Sequence, residues 1–219
     1  MCGRFVLAAD PAELTSHFGL EQPPDLTARY NVAPSQLVAV VAPKADPMKR
    51  GLALLKWGLV PYWSQDGRPY INARCETVGG LASFSDAFRH RRCVIPATGF
   101  YEWRGEGKKR VPMHFRLASG GVMGFAGLWD KWTDESGKKL FTCCVITTPA
   151  NAVVAPYHDR MPAILAPEDY AAWLDHAAPL KDAHALLRPF PAERMVVGPA
   201  NPLVNSPKNE GADLLDPAA

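Results

Sequence analysis

The sequence has no apolar run approaching the ~18 residues that a membrane-spanning helix needs. Its opening residues, MCGRFVLAADPAEL, lack the basic stretch, apolar core and small-residue cleavage site of a secretory signal. Both absences lead to the expectation of a cytoplasmic chain. No two of the five cysteines, at positions 2, 75, 93, 143 and 144, stand two residues apart, which argues against a zinc knuckle. An odd, unordered set also argues against a disulfide framework. P-loop and glycine-rich dinucleotide patterns are missing, so neither ATP nor NAD dependence has support, and no cofactor or metal is expected. Charge of one sign is scarce as well. Lys and Arg number 24 against 22 Asp and Glu, a net of +2, so a nucleic-acid role has to rest on local patches rather than on a global field.

What is present is a hydrophobic fraction of 47% in 219 residues, enough to fill a core without staples. Pro 21 and Gly 17 are too many for a helical bundle. Apolar runs of strand length recur at 37–42, 52–60, 93–97, 111–117, 122–129 and 140–148, separated by turn residues. GRFVL at the start reads as a further short strand. RGEGKKR before Val111 and DESGKK before Leu140 read as hairpin ends. Residues 10–18 read as a helix capped by Asp10, with Pro11 at its first position, a capping-box-like Glu13 and Gly19 as its stop. Further helices are expected over 83–91, 167–175 and near 180–187. The pattern predicts a strand-rich α+β domain with peripheral helices, without the regular alternation of a doubly wound sheet. No linker or repeat divides it, so one domain over 1–219 is expected, with about 206–219 as a loosely packed tail.

Four places hold polar residues in tight, Pro- and Gly-punctuated settings. Cys2 becomes residue one if the initiator methionine is removed, which puts a free α-amine beside its thiol. Both groups titrate near ~8, and a 1,2-aminothiol condenses with an aldehyde to an imine that the thiol closes into a thiazolidine. PYWSQDGRPYINARCET, 61–77, gathers Tyr62, Trp63, Arg68, Asn72, Arg74 and Glu76, aromatics beside arginines as in sites that stack bases and hold phosphates. From 89 to 110 seven basic residues face two acidic ones, and within that window Glu102 lies between Tyr101 and Trp103. A carboxylate so flanked tends to a raised pKa and can carry protons. In YHDRMP, 157–162, His158 is the best acid–base candidate of the six histidines. Each place also has a plain alternative: a chance terminal Cys, an aromatic core cluster, a solvated charged face, a structural His.

Read together, MCGRF (1–5), YNVAP (30–34), WGLVPYW (57–63), INARCET (71–77), RCVIPATGFYEW (92–103), HDRMP (158–162) and VN (204–205) resemble the SOS response-associated peptidase (SRAP) domain family over essentially the whole chain. The resemblance implies a compact α+β fold on a curved, barrel-like, mostly antiparallel sheet. It implies a sensor of abasic sites in single-stranded DNA that forms a covalent thiazolidine crosslink through the processed Cys2. Asn72 then resembles the residue that positions Cys2 and the sugar, Glu102 the proton carrier, and His158 the group that protonates the sugar ring oxygen or steadies the leaving phosphate. Arg4, Arg74 and Arg160 resemble its phosphate-binding arginines. Trp63, with Tyr62 beside it, resembles its aromatic wedge, although some members carry two adjacent tryptophans there. The implied partner is abasic single-stranded DNA, met by a monomer that becomes nucleoid-associated when engaged. Lyase activity, crosslink reversal and self-removal of Met1 belong to the same set of expectations. Two other readings stay open at this point: an amino-terminal-nucleophile hydrolase or cysteine peptidase built on Cys2, Asn72 and His158, and a non-catalytic single-stranded DNA binding module.

Overall fold

A computed structural model of the chain describes residues 2–46, 49–105 and 110–217. The strands in chain order are β1 (Phe5–Leu7), β2 (Arg29–Val32), β3 (Leu37–Pro43), β4 (Arg50–Trp57), β5 (Asn72–Arg74), β6 (Arg92–Ala97) and β7 (Gly99–Arg104). They continue with β8 (Val111–Leu117), β9 (Met123–Thr133), β10 (Lys139–Pro149), β11 (Arg160–Pro162), β12 (Ile164–Leu165) and β13 (Met195–Pro199). Among the described residues four α-helices lie between them: α1 (Pro11–Phe18), α2 (Ser85–His90), α3 (Tyr170–Leu174) and α4 (Leu180–Ala185).

Among the described residues the strands form two sheets. One runs β13-β8-β7-β1-β2 and is antiparallel throughout. In the other, β9 pairs β10, β10 pairs β4, β4 pairs β3, β3 pairs β6 and β6 returns to β9, so five strands close a ring. Only the β4–β10 and β5–β10 pairs are parallel. Closure removes sheet edges, which is how a strand-rich chain avoids unpaired backbone. The expected barrel-like α+β architecture is what forms.

Local sequence explains several boundaries. Asp10 accepts the Ala12 N–H at the start of α1, and Gly19 ends it with φ of 63°, a left-handed turn that costs glycine little. Gly99 is required for a different reason: a Cβ there would lie 2.1 Å from His114 Nε2. The expected strand over 52–60 stops at Trp57, whose indole N–H donates to the Ile71 carbonyl and whose ring lies 5.2 Å from that of Phe5. Over 167–175 a 3₁₀ turn, Pro167–Asp169, precedes the α-helix. The β9–β10 hairpin closes through Asp134 as expected, while residues 106–109 of the other hairpin end lie outside the described residues.

Two regions take a form that their composition alone does not specify. The described part of the basic window 89–110 is not a uniform charged face. Arg92 is fully buried, and its guanidinium donates to the carbonyls of Phe88, Trp173 and Asp175, tying the C-terminal ends of α2 and α3 to β6. A cation at helix C-termini is favoured by their partial negative charge. Arg91 is paired with Asp86 and Asp130. The second region is the tail. Its described part is fastened, since Asn31 donates to the carbonyls of Ser206 and Asn209, Glu210 accepts from Arg29 and from the Tyr30 N–H, and Leu214 is buried.

Candidate active site

The site begins with the register of β1 on β7. Phe5 pairs Phe100, Val6 pairs Gly99, and the Tyr101 N–H donates to the Arg4 carbonyl at 3.0 Å. Running antiparallel, the residues before β1 therefore pass Tyr101 and reach Glu102. Cys2 is completely buried there, its thiol 3.9 Å from the Arg4 carbonyl. Burial pushes that thiol well above its ordinary pKa, and the nearby Glu102 carboxylate pushes the same way. Glu102 is itself buried, and desolvation raises its carboxyl above the usual range.

Asn72 arrives from the other sheet. It opens β5, which pairs parallel with the C-terminal half of β10 (Val145 opposite Asn72), and its Nδ2 donates to the Cys2 carbonyl at 2.9 Å. Its buried Oδ1 takes no hydrogen bond among the described residues, which leaves an acceptor beside the cysteine. His158 precedes β11 on the far side of β10. Its Nδ1 lies 2.9 Å from the Arg160 backbone nitrogen and 2.8 Å from a carboxylate oxygen of Asp159. One ring nitrogen serves one of these at a time: unprotonated it accepts the Arg160 N–H, protonated it donates to Asp159. Burial lowers the pKa of His158, so the neutral ring, with its hydrogen on Nε2, is the favoured form near neutrality.

The DNA-contact candidates separate into three kinds. Tyr62 and Trp63 are 56% and 50% exposed on the loop after Pro61, and the loop is braced rather than loose. The Tyr62 N–H donates to Asp130, Ser64 O accepts from Trp132 Nε1, and Trp63 Nε1 reaches the Ala82 carbonyl. Arg74 is exposed at the end of β5. Arg4 and Arg160 are instead engaged within the protein. Arg4 Nη1 donates to Asn31 Oδ1 and to the Val204 carbonyl, both at 2.6 Å. Arg160 grips both oxygens of Glu76, at 2.6 and 2.9 Å, and the Thr147 carbonyl at 2.6 Å. That fork holds the Glu76 carboxyl down at about 2.

Two residues reached this neighbourhood without being singled out for it. Arg110 and Asp159 exert their charges on both Glu102 and His158. The signal for Arg110 was the hairpin register: Arg104 pairs Val111, so residue 110 stands at the same end of the β7–β8 ribbon as Glu102. Among the described residues no group of three or more His, Cys, Asp or Glu is arranged to hold a metal ion. None of the described helices is long and apolar enough to cross a membrane. All five cysteines are free and buried.

Fold and site together define a class: an α+β protein on a ring of strands, with a buried cysteine near its amino terminus whose carbonyl is held by an asparagine amide and whose thiol lies within the influence of a buried carboxyl. The chain belongs to the SOS response associated peptidase (SRAP) family, whose model matches residues 1–207. It is 38% identical over 224 residues to the abasic site processing protein YoqW of Bacillus subtilis, covering 99% of each chain. It is 28% identical to the abasic site processing protein YedK of Escherichia coli, over 99% of this chain and 100% of the relative. A third relative, the abasic site processing protein HMCES of Gallus gallus, is 33% identical over 79% of this chain and 59% of its own length. A crystal structure of a Bacteroides thetaiotaomicron protein superposes with a TM-score of 0.88 at 25% identity, covering all of both chains.

Proposed function

We propose that this protein captures abasic sites in single-stranded DNA by a covalent bond to Cys2, after removal of Met1. The relatives supply the substrate class, since three of them are named for processing abasic sites. The observation that carries the chemistry is the burial of Cys2 beside Glu102, with a thiol pushed up rather than down. A cysteine peptidase needs a thiolate, and its asparagine orients the histidine. Here the thiol is kept protonated, Asn72 holds the cysteine's own carbonyl, and His158 Nδ1 is held by the Arg160 backbone. That arrangement suits attack by the amine first and by sulfur second.

The steps follow from the side chains. The abasic sugar is mostly closed, and opening it takes a proton onto the ring oxygen and another off the C1′ hydroxyl. His158, carrying its hydrogen on Nε2, donates the first, and the Glu102 carboxylate accepts the second. The neutral α-amine of Cys2 adds to the C1′ aldehyde; Glu102 then gives its proton to the departing hydroxyl, the nitrogen gives up its proton to restore His158, and one water leaves to form the imine. The Cys2 sulfur then adds to the imine carbon, its proton passing to the ring nitrogen, and a thiazolidine results. The net change is loss of one water. Asn72, by holding the Cys2 carbonyl, keeps amine and sulfur on one side of the aldehyde, and such positioning converts two encounters into one. Ring closure removes the imine before it can undergo β-elimination, so the strand stays whole.

Recognition needs no base-reading. An intact nucleotide offers no aldehyde, Tyr62 and Trp63 supply stacking faces, and Arg74 supplies a phosphate contact. The test is direct. Protein whose terminus is verified by mass as Cys2 is mixed with single-stranded DNA bearing one abasic site, or with the intact strand, and run on a denaturing gel. The expected result is an adduct with the abasic strand alone, lost in Cys2→Ala, at the summed mass less one water. No adduct from a verified Cys2 terminus overturns the reading. Equal non-covalent binding of both strands would mark a binding module, and release of a cleaved amide product would mark a hydrolase.

A further inference from the structure

One motif in the sequence, Val204–Asn205, has no part in the chemistry above, and Val204 lies 200 residues along the chain from Arg4. Space reverses that distance. The Val204 carbonyl accepts from Arg4 Nη1 at 2.6 Å, and Asn205 Oδ1 accepts from Trp103 Nε1 at 2.6 Å. The Arg4 guanidinium lies over the Trp103 ring at 5.8 Å, which closes the circuit. Asn31, fully buried on β2, anchors the segment by donating to the carbonyls of Val204, Ser206 and Asn209 while accepting from Arg4. Val204 is buried and Asn205 is exposed.

We infer that Asn205 is a positioning residue for the Cys2 site, acting through Trp103 and Arg4. This rests on the covalent-capture reading. Trp103 directly follows Glu102 on β7, and the Arg4 carbonyl is the group on which the Cys2 thiol and the Tyr101 N–H converge. The terminal segment has little backbone pairing of its own, with Phe5 and Val6 as its registered partners on β7. Side chains therefore have to fix the last few residues before β1. Asn205 fills no core space, so its Oδ1 is what it contributes: an acceptor that stops the half-buried Trp103 indole from turning and keeps its face under Arg4. Val204 and Asn31 hold the same guanidinium from the other side. The C-terminal segment thereby acts as a clasp on the residues flanking both the nucleophile and the proton carrier.

The test compares Asn205→Leu, which keeps bulk and loses the acceptor, with Trp103→Phe, which keeps a ring and loses the donor. Asn205→Asp restores an acceptor. Two quantities are read for each: the rate of Cys2 modification by a small thiol reagent, located by mass, and the adduct rate against concentration of abasic strand. Asn205→Leu should speed Cys2 labelling and lower the maximal adduct rate about fivefold, what a neutral hydrogen bond of ordinary strength supplies. The half-saturating strand concentration should stay within about twofold of the parent, as expected when positioning rather than ground-state binding is lost. Trp103→Phe should do the same, the double variant should be no worse than either, and Asn205→Asp should recover the parent values. Unchanged labelling in Asn205→Leu, additive losses, or a failed rescue overturns the inference. So does a lowered melting temperature with labelling unmoved, the mark of a merely structural residue. Should Asn205→Leu not fold, Trp103→Phe and Asn205→Asp decide alone. If the parent forms no adduct, the capture reading falls, while the labelling rates still decide the role of Asn205.

Discussion

The Asn72 side-chain amide donates to the main-chain carbonyl of Cys2 at 2.9 Å, across 70 residues of chain. The bond grips the cysteine from its C-terminal side, leaving amine and sulfur ungripped by that contact. Asn72→Asp replaces the donor with an acceptor facing a carbonyl, so it should lower the adduct rate by about tenfold or more, the loss of a bond plus an introduced repulsion. A time course of adduct formation on a denaturing gel measures it. An unchanged rate would show that Cys2 is posed by other contacts.

Under the capture reading, Glu102 should set the acid side of the pH profile. Its burial raises its carboxyl above the ordinary value of 4.5, and it accepts a proton only when ionised. The adduct rate should therefore climb with pH through a range above that value and level off beyond it. Glu102→Gln should be slow throughout and lose that limb, leaving the titration of the amine. Single-turnover rates between pH 4 and 9, a window chosen about the reference carboxyl and amine values, distinguish the two.

The arginines should part company under salt. Arg74 is exposed and Arg160 is committed to Glu76 and Thr147. Arg74→Ala should reduce the slope of log affinity against log salt by about 0.7, one single-strand phosphate contact. Arg160→Ala should leave the slope alone and lower the adduct rate, because it loosens the turn that carries His158. Trp63→Ala should cost about 1–3 kcal/mol of strand affinity. Fluorescence anisotropy with a labelled strand at several salt concentrations reads all three affinities.

His114 predicts a stability profile independent of DNA. It is buried on β8, with Arg116 nearby, and its pKa is lowered from 6.5 to about 4, burial being the larger cause. Between those values the unfolded chain binds the proton and the folded chain does not, so stability is full above 6.5 and falls as the pH drops toward 4. The whole drop amounts to about 3–4 kcal/mol at most, at about 1.4 kcal/mol per pKa unit. His114→Phe should flatten that limb in denaturant titrations. A limb as steep as the parent's would assign it to His17, His158 or His176, whose burial lowers their pKa values too.

Periodicity and turn chemistry carried most of the fold in advance. The long strands β3, β6, β8, β9 and β10 are apolar enough to announce themselves, and α1 has its cap, proline and stop in order. β5, β11 and β12 were not legible, since two or three residues hold too little pattern and exist as strands only because β9 and β10 offer them an edge. β7 was masked by its own chemistry, because Glu102 interrupts the apolar run of a buried strand.

For the site, residue types and local order determined the reactive cast: a cysteine at position 2, a carboxylate among aromatics, a histidine in a polar turn, aromatics on a Pro- and Gly-marked loop. What they could not determine was partnership. That Asn72 holds the cysteine's carbonyl rather than the histidine follows from β5 lying parallel to β10. That Arg4 and Arg160 are bound inward, and that a segment near the C-terminus clasps the residues around Cys2, follows from sheet closure and buried carbonyls. A buried carbonyl must find a donor wherever the chain happens to bring one, and long-range matching of that kind leaves no trace in spacing along the sequence.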